Sequence, residues 1–347
     1  MPTFHPLTVA RVDALTDDAA AVTFRVPDEL CDEFAFRPGQ SLTIRRGEER
    51  RSYSICAPAG RAPRIGVREV PGGALSGWLI RDVRVGDVLD VQPPSGTFTP
   101  DLTEAGHHVL IAAGSGITPM MSIAASVLAA HDESTVTLFY GNRRTDSVMF
   151  ADDVADLKDA YPARMQLVHV LSRESQEVEL FNGRLDAAKL RALLPLTVEV
   201  AEVDHWWLCG PFGMVTDALG VLTELGVERG RIHRELFYVE PEPPAEVHHI
   251  DAPAGPGAEV TVVLDGRSST VTVAPDTAIL DAAQKSRPDL PFACKGGVCG
   301  TCRAQVTHGE VTMRRNYALE DDEVADGYVL TCQALPVSDK VTVDYDA

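Results

Sequence analysis

Over roughly the first hundred residues, apolar and polar positions alternate in short runs, the period of two that predicts half-buried strands. Ala21-Val22-Thr23-Phe24-Arg25-Val26 and Gln40-Ser41-Leu42-Thr43-Ile44 follow it, and Pro and Gly interrupt it, as at Arg37-Pro38-Gly39. Closely spaced strands of this kind predict a small antiparallel β-barrel over residues 1–105. The pattern then changes. His108-Val109-Leu110-Ile111-Ala112-Ala113 is a continuous apolar run, suited to a strand buried on both faces. Gly114-Ser115-Gly116-Ile117-Thr118-Pro119 follows, then a helical stretch from Met120 to Ala130. Strands are expected at Thr135–Tyr140, Met165–Leu171 and His205–Leu208, with a helix near Phe150–Ala160. Alternation of this kind predicts a parallel α/β domain over residues 106–238, with ligands at the carboxyl ends of its strands.

Residues 239–258, VEPEPPAEVHHIDAPAGPGA, have few large apolar side chains and read as a semi-extended linker. His248 and His249 lie within it without cysteine or carboxylate partners and read as a solvated pair. Beyond it, Glu259–Leu264 and Ser269–Val273 flank Asp265-Gly266, a hairpin signal, and a short helix is expected over Thr277–Lys285. Residues 259–347 thus form a further domain, and no internal repeat is visible.

Composition narrows the class. The 347 residues exceed one typical core, so two or three domains are expected. Hydrophobic content of 45% and charged content of 24% are ordinary for a globular chain. No apolar run reaches membrane-spanning length, and the N-terminal MPTFHPLTVARV lacks a signal-peptide layout, so a cytoplasmic protein is expected. A formal charge of −20 disfavours nucleic acid, whose phosphates would be repelled. The same charge serves solubility or steers docking onto a basic partner.

Seven cysteines, an odd number with four in one pattern, argue against a disulfide framework. Cys294, Cys299 and Cys302 stand as C-x4-C-x2-C in FACKGGVCGTC, and Cys332 follows after a long gap. This is the ligand order of a plant-type 2Fe-2S cluster. Gly296, Gly297 and Gly300 suit a loop whose backbone wraps closely around sulfur. The competing readings are four unrelated buried cysteines or a zinc site, but zinc usually takes paired C-x2-C units and only one is present. Cys31 and Cys56 are assigned no chemistry.

Two further motifs are less specific taken singly. Gly114-Ser115-Gly116-Ile117-Thr118-Pro119 is not G-x-G-x-x-G and reads alone as an ordinary strand-to-helix turn, although a helix start after it suits a pyrophosphate. Arg51-Ser52-Tyr53-Ser54 offers a phosphate clamp, a stacking ring and a hydroxyl, or simply an alternating strand.

Arg51-x-Tyr53-Ser54 in a barrel, Gly116-Ile117-Thr118-Pro119 and Cys209-Gly210-Pro211, in that order, resemble the ferredoxin-NADP reductase superfamily. With a trailing plant-type ferredoxin pattern, the likeness narrows to reductase components of oxygenases. The segments TFHPLTVARV, AAGSGITPM, ACKGGVCGTC and YVLTCQALPVSDKVTVDYDA bring it nearest to reductase subunits of multicomponent phenylacetyl-CoA epoxidases, over nearly the whole chain. The resemblance implies a multidomain fold: an FAD-binding antiparallel β-barrel, an NAD(P)-binding parallel α/β domain and a β-grasp 2Fe-2S ferredoxin domain. It implies that Arg51, Ser52, Tyr53 and Ser54 hold FAD, with Tyr53 on the isoalloxazine and Arg51 near the pyrophosphate. Gly73, Ala74, Leu75 and Ser76 would give amides and a hydroxyl to that pyrophosphate. Thr118 would lie beside the flavin, Gly114 and Pro119 would shape the dinucleotide site, and Cys209 with Gly210 would face the nicotinamide. Glu235 and Phe237 match the end of the reductase module, and Ser54, Cys209 and Glu235 form the implied catalytic set. Arg143, Ser172 and Arg173 follow strands where an adenosine ribose would sit; no acid directly follows Leu171, so NADPH is expected over NADH.

The implied path runs from NADPH to FAD, to the cluster, and on to a di-iron oxygenase subunit that epoxidises phenylacetyl-CoA. Hydride carries two electrons and the cluster takes one, so a flavin must stand between them. No side chain is required as nucleophile or general base. A potential near about −400 mV suits reduction of an oxygen-activating metal centre. The linker, spanning on the order of 25 Å as a coil, is expected to let the ferredoxin domain swing between flavin and partner. The alternatives are a reductase for a ring-hydroxylating dioxygenase or steroid hydroxylase, and, in another class, a 2Fe-2S redox sensor or binding module.

Overall fold

The computed structural model describes residues 4–47, 49–237, 257–287, 289–292, 294–319 and 321–347. Residues 239–256 of the expected linker, with His248 and His249, lie outside the described residues. Phe4–Phe237 forms one compact unit, and the described residues from Gly257 onward belong to a second.

The first unit opens with six antiparallel strands: β1 (His5–Thr16), β2 (Ala19–Arg25), β3 (Ser41–Arg46), β4 (Glu49–Ser54), β5 (Arg64–Arg68) and β6 (Val88–Ser95). Their order is β4-β3-β6-β1-β2-β5, and a bridge between Ile55 and Ile65 joins the two edges of the curled sheet. Strand β2 shows why simple alternation is a blunt guide here. Val22 and Phe24 fill the barrel core, while Ala19 and Ala21 on its other face join the core of the α/β half. Both faces are buried, and the small residues let the two halves approach. Strand β6 carries Pro93 and Pro94 inside the sheet, where the register with β3 shifts between Ser41 and Thr43. A bulge tolerates the missing amide donors. Between β5 and β6 lies helix α1 (Ala74–Arg81), which packs on β4 and β5 and has no periodic signal in the sequence.

The remainder of this unit is a parallel sheet of β7 (His107–Ala113), β8 (Thr135–Asn142), β9 (Met165–Leu171), β10 (His205–Gly210) and β11 (Ile232–Leu236). It alternates with α2 (Ile117–Ala130), α3 (Ala151–Ala160), α4 (Ala187–Thr197) and α5 (Phe212–Glu224). The order β11-β10-β7-β8-β9 reverses direction between β7 and β10. That reversal opens a crevice at the carboxyl ends of these two strands, the place where open α/β sheets bind ligands. Helix α2 begins at Ile117 rather than Met120. Pro119 sits in its first turn, where the missing N–H has no intrahelical partner to lose.

The second unit is a mixed sheet with order β13-β12-β18-β14-β16, built from β12 (Ala258–Leu264), β13 (Arg267–Val273), β14 (Arg303–His308), β16 (Tyr328–Leu330) and β18 (Lys340–Asp344). Strands β12 and β18 run parallel and the other pairs antiparallel. A small ladder of β15 (Val311–Met313) and β17 (Ala334–Pro336) lies outside this sheet. Helix α6 (Ile279–Ala283), shorter than expected, packs its Ile279 and Leu280 into the core. Helix α7 (Asp321–Ala325) precedes β16. The hairpin predicted at Asp265-Gly266 is present: both residues take positive φ, 54° and 65°, as a type I′ turn requires. No described helix is long and apolar enough to cross a membrane.

One ionic cross-link ties the two halves of the first unit. Arg64 on β5 donates to Asp153 of α3 at 2.7 Å and to Asp13 of β1 at 3.2 Å. Its side chain is 20% exposed, so solvent screens the network only in part. Arg64→Leu removes the bridge between Asp153 and Asp13, which keeps its bond from Arg11 at 2.6 Å, and is expected to cost about 1–3 kcal/mol. Urea unfolding followed by tryptophan fluorescence checks this; an unchanged midpoint would mean the cross-link contributes nothing net.

Candidate functional site

At the crevice between β7 and β10, two turns press together. Gly116, after β7, lies so close to the end of β10 that an added Cβ would sit 2.1 Å from the Cys209 carbonyl oxygen and 2.8 Å from the Gly210 nitrogen. No larger residue fits without moving backbone. Gly114 takes φ of 56°, in the left-handed region, and the Tyr140 hydroxyl lies 3.1 Å from its carbonyl oxygen. The turn thus feeds directly into α2, whose start has no side-chain cap. Its first amides and the positive end of its dipole face the crevice with no side-chain acceptor, a fit for pyrophosphate. Thr118 is buried and donates to the Ser115 carbonyl at 2.8 Å. Gly66 of β5 accommodates both Thr118 and Phe150, each of which would stand 2.9 Å from an added Cβ.

Three expected catalytic residues, far apart in sequence, come together beside this crevice. Ser54 at the end of β4 donates to a Glu235 carboxylate oxygen at 3.2 Å. Glu235 on β11 is the ladder partner of Cys209 on β10. Burial raises the Glu235 carboxyl to about 8, with the Ser54 hydrogen bond opposing, so the group carries its proton at neutral pH. Burial, and then the neighbouring Glu235, push the Cys209 thiol up, so it stays a thiol and not a nucleophilic thiolate. Phe237 follows at the same end of the sheet and is 36% exposed.

On the barrel, Arg51 is exposed, Tyr53 partly buried and Ser52 tied to Thr43 at 2.9 Å. Burial raises the Tyr53 phenol, leaving a neutral ring. Gly73 precedes α1 without a side-chain cap, so the amides of its first turn remain for an anion. The Ser76 hydroxyl differs from expectation. It accepts from the Val70 amide and donates to the Gly73 carbonyl, which spends its proton inside the loop.

Arg143, Ser172 and Arg173 form one group at the ends of β8 and β9. The Arg173 amide donates to the Arg143 carbonyl at 2.8 Å, and the Ser172 amide to the Asn142 carbonyl at 2.9 Å. Arg144 is neutralised by Asp146 at 2.6 Å, and Glu174 is occupied by the Thr145 amide and hydroxyl. Among the described residues, Arg143 and Arg173 carry no ion pair, which leaves two guanidinium groups for an anionic ligand.

In the second unit, the four expected ligands fall into two pairs. Cys294 and Cys299 lie near enough to perturb each other's ionisation, as do Cys302 and Cys332. Cys294 is held below its ordinary range, first by the Cys299 thiol and then by backbone amides; the Gly296 amide reaches its sulfur at 3.3 Å. No three His, Cys, Asp or Glu side chains gather around one point among the described residues. Two thiolates for each of two irons is the donor set of a 2Fe-2S cluster. The loop bends through positive φ at Lys295, Gly297 and Gly300.

Several supporting residues carried little sequence signal. Gln333 donates to the Lys295 carbonyl at 2.8 Å and lies 3.6 Å from the Cys332 sulfur. Thr331 donates both its amide and its hydroxyl to the Cys302 carbonyl. Phe150 takes φ of 58°, unusual for a bulky residue, to place its ring against Gly66. Only Gly66, a glycine inside a strand pattern, is a detectable cue.

Comparison with known proteins agrees with this plan. Residues 110–219 match a model of the oxidoreductase NAD-binding domain, and residues 262–337 a model of the 2Fe-2S iron-sulfur cluster binding domain. The chain is 44% identical to one of the subunits of 1,2-phenylacetyl-CoA epoxidase from Escherichia coli (strain K12), covering 100% of this chain and 99% of that protein. It is 34% identical to the ferredoxin reductase component of 3-ketosteroid-9-alpha-monooxygenase from Rhodococcus rhodochrous, covering 98% and 96%. Phthalate dioxygenase reductase, described as a modular structure for electron transfer from pyridine nucleotides to [2Fe-2S], shares the fold at a TM-score of 0.60 and 22% identity, covering 98% of each chain.

The raised Glu235 carboxyl has a consequence for stability. The folded chain holds this proton up to about pH 8, whereas the unfolded chain releases it in the ordinary carboxylate range. Folding therefore binds a proton between these limits, and stability falls as pH rises through them. Glu235→Gln should flatten this fall and gain stability above about pH 8. Thermal midpoints of both proteins across that window test it; parallel curves would contradict a buried, protonated Glu235.

Proposed function

The chain belongs to the family of oxygenase reductase components that end in a 2Fe-2S domain, and on that premise we propose its coenzyme, its partner and the residues that serve each. It is an oxidoreductase that uses a nicotinamide coenzyme, FAD and a 2Fe-2S cluster to deliver electrons. The partner is the oxygenase subunit of a phenylacetyl-CoA epoxidase, and the coenzyme is NADPH. The partner assignment rests on the full-length 44% identity to the Escherichia coli epoxidase protein. A cytoplasmic setting suits a soluble coenzyme and a thiolate-held cluster.

Residues 1–105 would bind FAD, 106–238 the nicotinamide dinucleotide, and 259–347 the cluster. Bound flavin supplies the conversion of a hydride pair into single electrons. Tyr53 offers the flat ring against which a heterocycle stacks, and Arg51 with the amides opening α1 holds the pyrophosphate. Gly114, Thr118 and Pro119 shape the turn that admits the nicotinamide end, and Cys209 and Gly210 wall its far side. Glu235 holds a proton at the carboxylate oxygen that Ser54 contacts, which keeps a negative charge away from the hydride path. Phe237, exposed just after β11, would pack near the flavin.

Arg143 and Arg173, with Ser172 between strands, suit the extra phosphate of NADPH. Replacing both arginines with alanine should raise the KM for NADPH at least about tenfold and change that for NADH less than about twofold. Steady-state kinetics with both coenzymes decide this; equal effects would remove the basis for NADPH.

The function itself is tested by reconstitution. With the oxygenase subunits of a phenylacetyl-CoA epoxidase, the chain should support NADPH-dependent epoxidation. Cys294→Ser should abolish this turnover, cytochrome c reduction and the visible cluster spectrum, while ferricyanide reduction persists. No epoxidation by a chain that still reduces cytochrome c would overturn the partner. Loss of ferricyanide reduction in the variant would overturn the division of labour between flavin and cluster.

A further inference from the structure

Outside this machinery, the register of the parallel sheet gathers imidazoles that electron transfer does not use. His108 on β7 is the ladder partner of His205 on β10, and His233 on β11 is the partner of Trp207. The Nδ1 of His205 lies 3.3 Å from the Nε2 of His233. Both rings are held in place by stacking. His108 lies against His205 at 5.0 Å, and Trp207 lies against His233 at 4.1 Å, each nearly parallel. His108 is itself fixed, because the Trp207 indole donates to its Nδ1 at 3.2 Å.

We propose that His205 and His233 form a two-imidazole chelate for a divalent transition metal such as zinc. A tetrahedral zinc with bonds of about 2.05 Å sets its two nitrogens about 3.3 Å apart, so the observed spacing needs little change. Imidazole is a favoured donor for such ions, and ordered packing around each ring reduces the cost of fixing them. Metal entry requires the proton between the two nitrogens to move to the other nitrogen of its own ring, so that both imidazoles bind as neutral ligands. Asp204, Glu104 and Asp101 act on His205 with favourable charge, against Arg231. No third His, Cys, Asp or Glu completes the set among the described residues, so water fills the remaining positions. Both ligands are partly exposed, which gives the ion access.

The test uses the full chain with flavin and cluster assembled, so that the four thiolates are already occupied. Zinc titration by calorimetry should show one site, weakened at least about tenfold by His205→Gln or His233→Gln. The double variant His248→Gln/His249→Gln should bind as the unaltered chain does. Retained flavin and cluster absorption verifies folding of each variant. Zinc-edge X-ray absorption of the unaltered protein gives a second readout, expected to report two imidazole ligands. Sulfur ligation, absence of binding, indifference to both single substitutions, or loss in the 248/249 variant would each overturn the proposal.

Discussion

The site depends on one close approach of backbone to backbone. Where the sheet reverses direction, the turn after β7 and the end of β10 can touch only because Gly116 has no side chain. That contact fixes the start of α2, and with it Thr118, against the strand that carries Cys209. Cys209 in turn sets the register of Glu235, which meets Ser54 from the barrel. A hydroxyl and a carboxyl separated by 181 residues are thus hydrogen-bonded at the point where two halves of one unit meet. The geometry is a property of the sheet topology; the glycine permits it.

Much of this was legible before the structure. The cysteine spacing pointed to a 2Fe-2S domain, which residues 262–337 match, and the apolar run 108–113 is the central strand. The Asp265-Gly266 turn also behaved as its chemistry requires. What was hidden has physical reasons. Strand β6 contains two prolines, which argue against an interior strand unless a bulge is known. Helix α1 is eight residues long and lies between turns, too short for periodicity to register. Gly66, Phe150, Thr331 and Gln333 matter through what lies opposite them in space, and single-chain patterns carry no record of that. The Ser76 hydroxyl shows the converse: the motif placed the residue, but loop hydrogen bonds decided which of its atoms remain free for a ligand.

The ferredoxin unit solves a different problem. Four thiols are expensive to ionise in a buried setting, and the loop answers with amides directed at sulfur and a bend through three positive-φ residues. Thr331 and Gln333 flank Cys332 and bind the carbonyls of Cys302 and Lys295, so the distant fourth ligand is stitched to the loop by its neighbours. Neighbouring thiols in two pairs suit a two-iron cluster.

Charge placement completes the argument. The chain carries a formal −20, yet burial keeps the two titratable groups beside the crevice neutral: it raises the Glu235 carboxyl and the Cys209 thiol. At the ends of β8 and β9, Arg144 is cancelled by Asp146, while Arg143 and Arg173 are left without ion pairs among the described residues. An anionic coenzyme approaching an acidic protein needs such an arrangement. In the proposed arrangement, attraction would be concentrated at Arg143 and Arg173, and the crevice beside Glu235 and Cys209 would be free of charge.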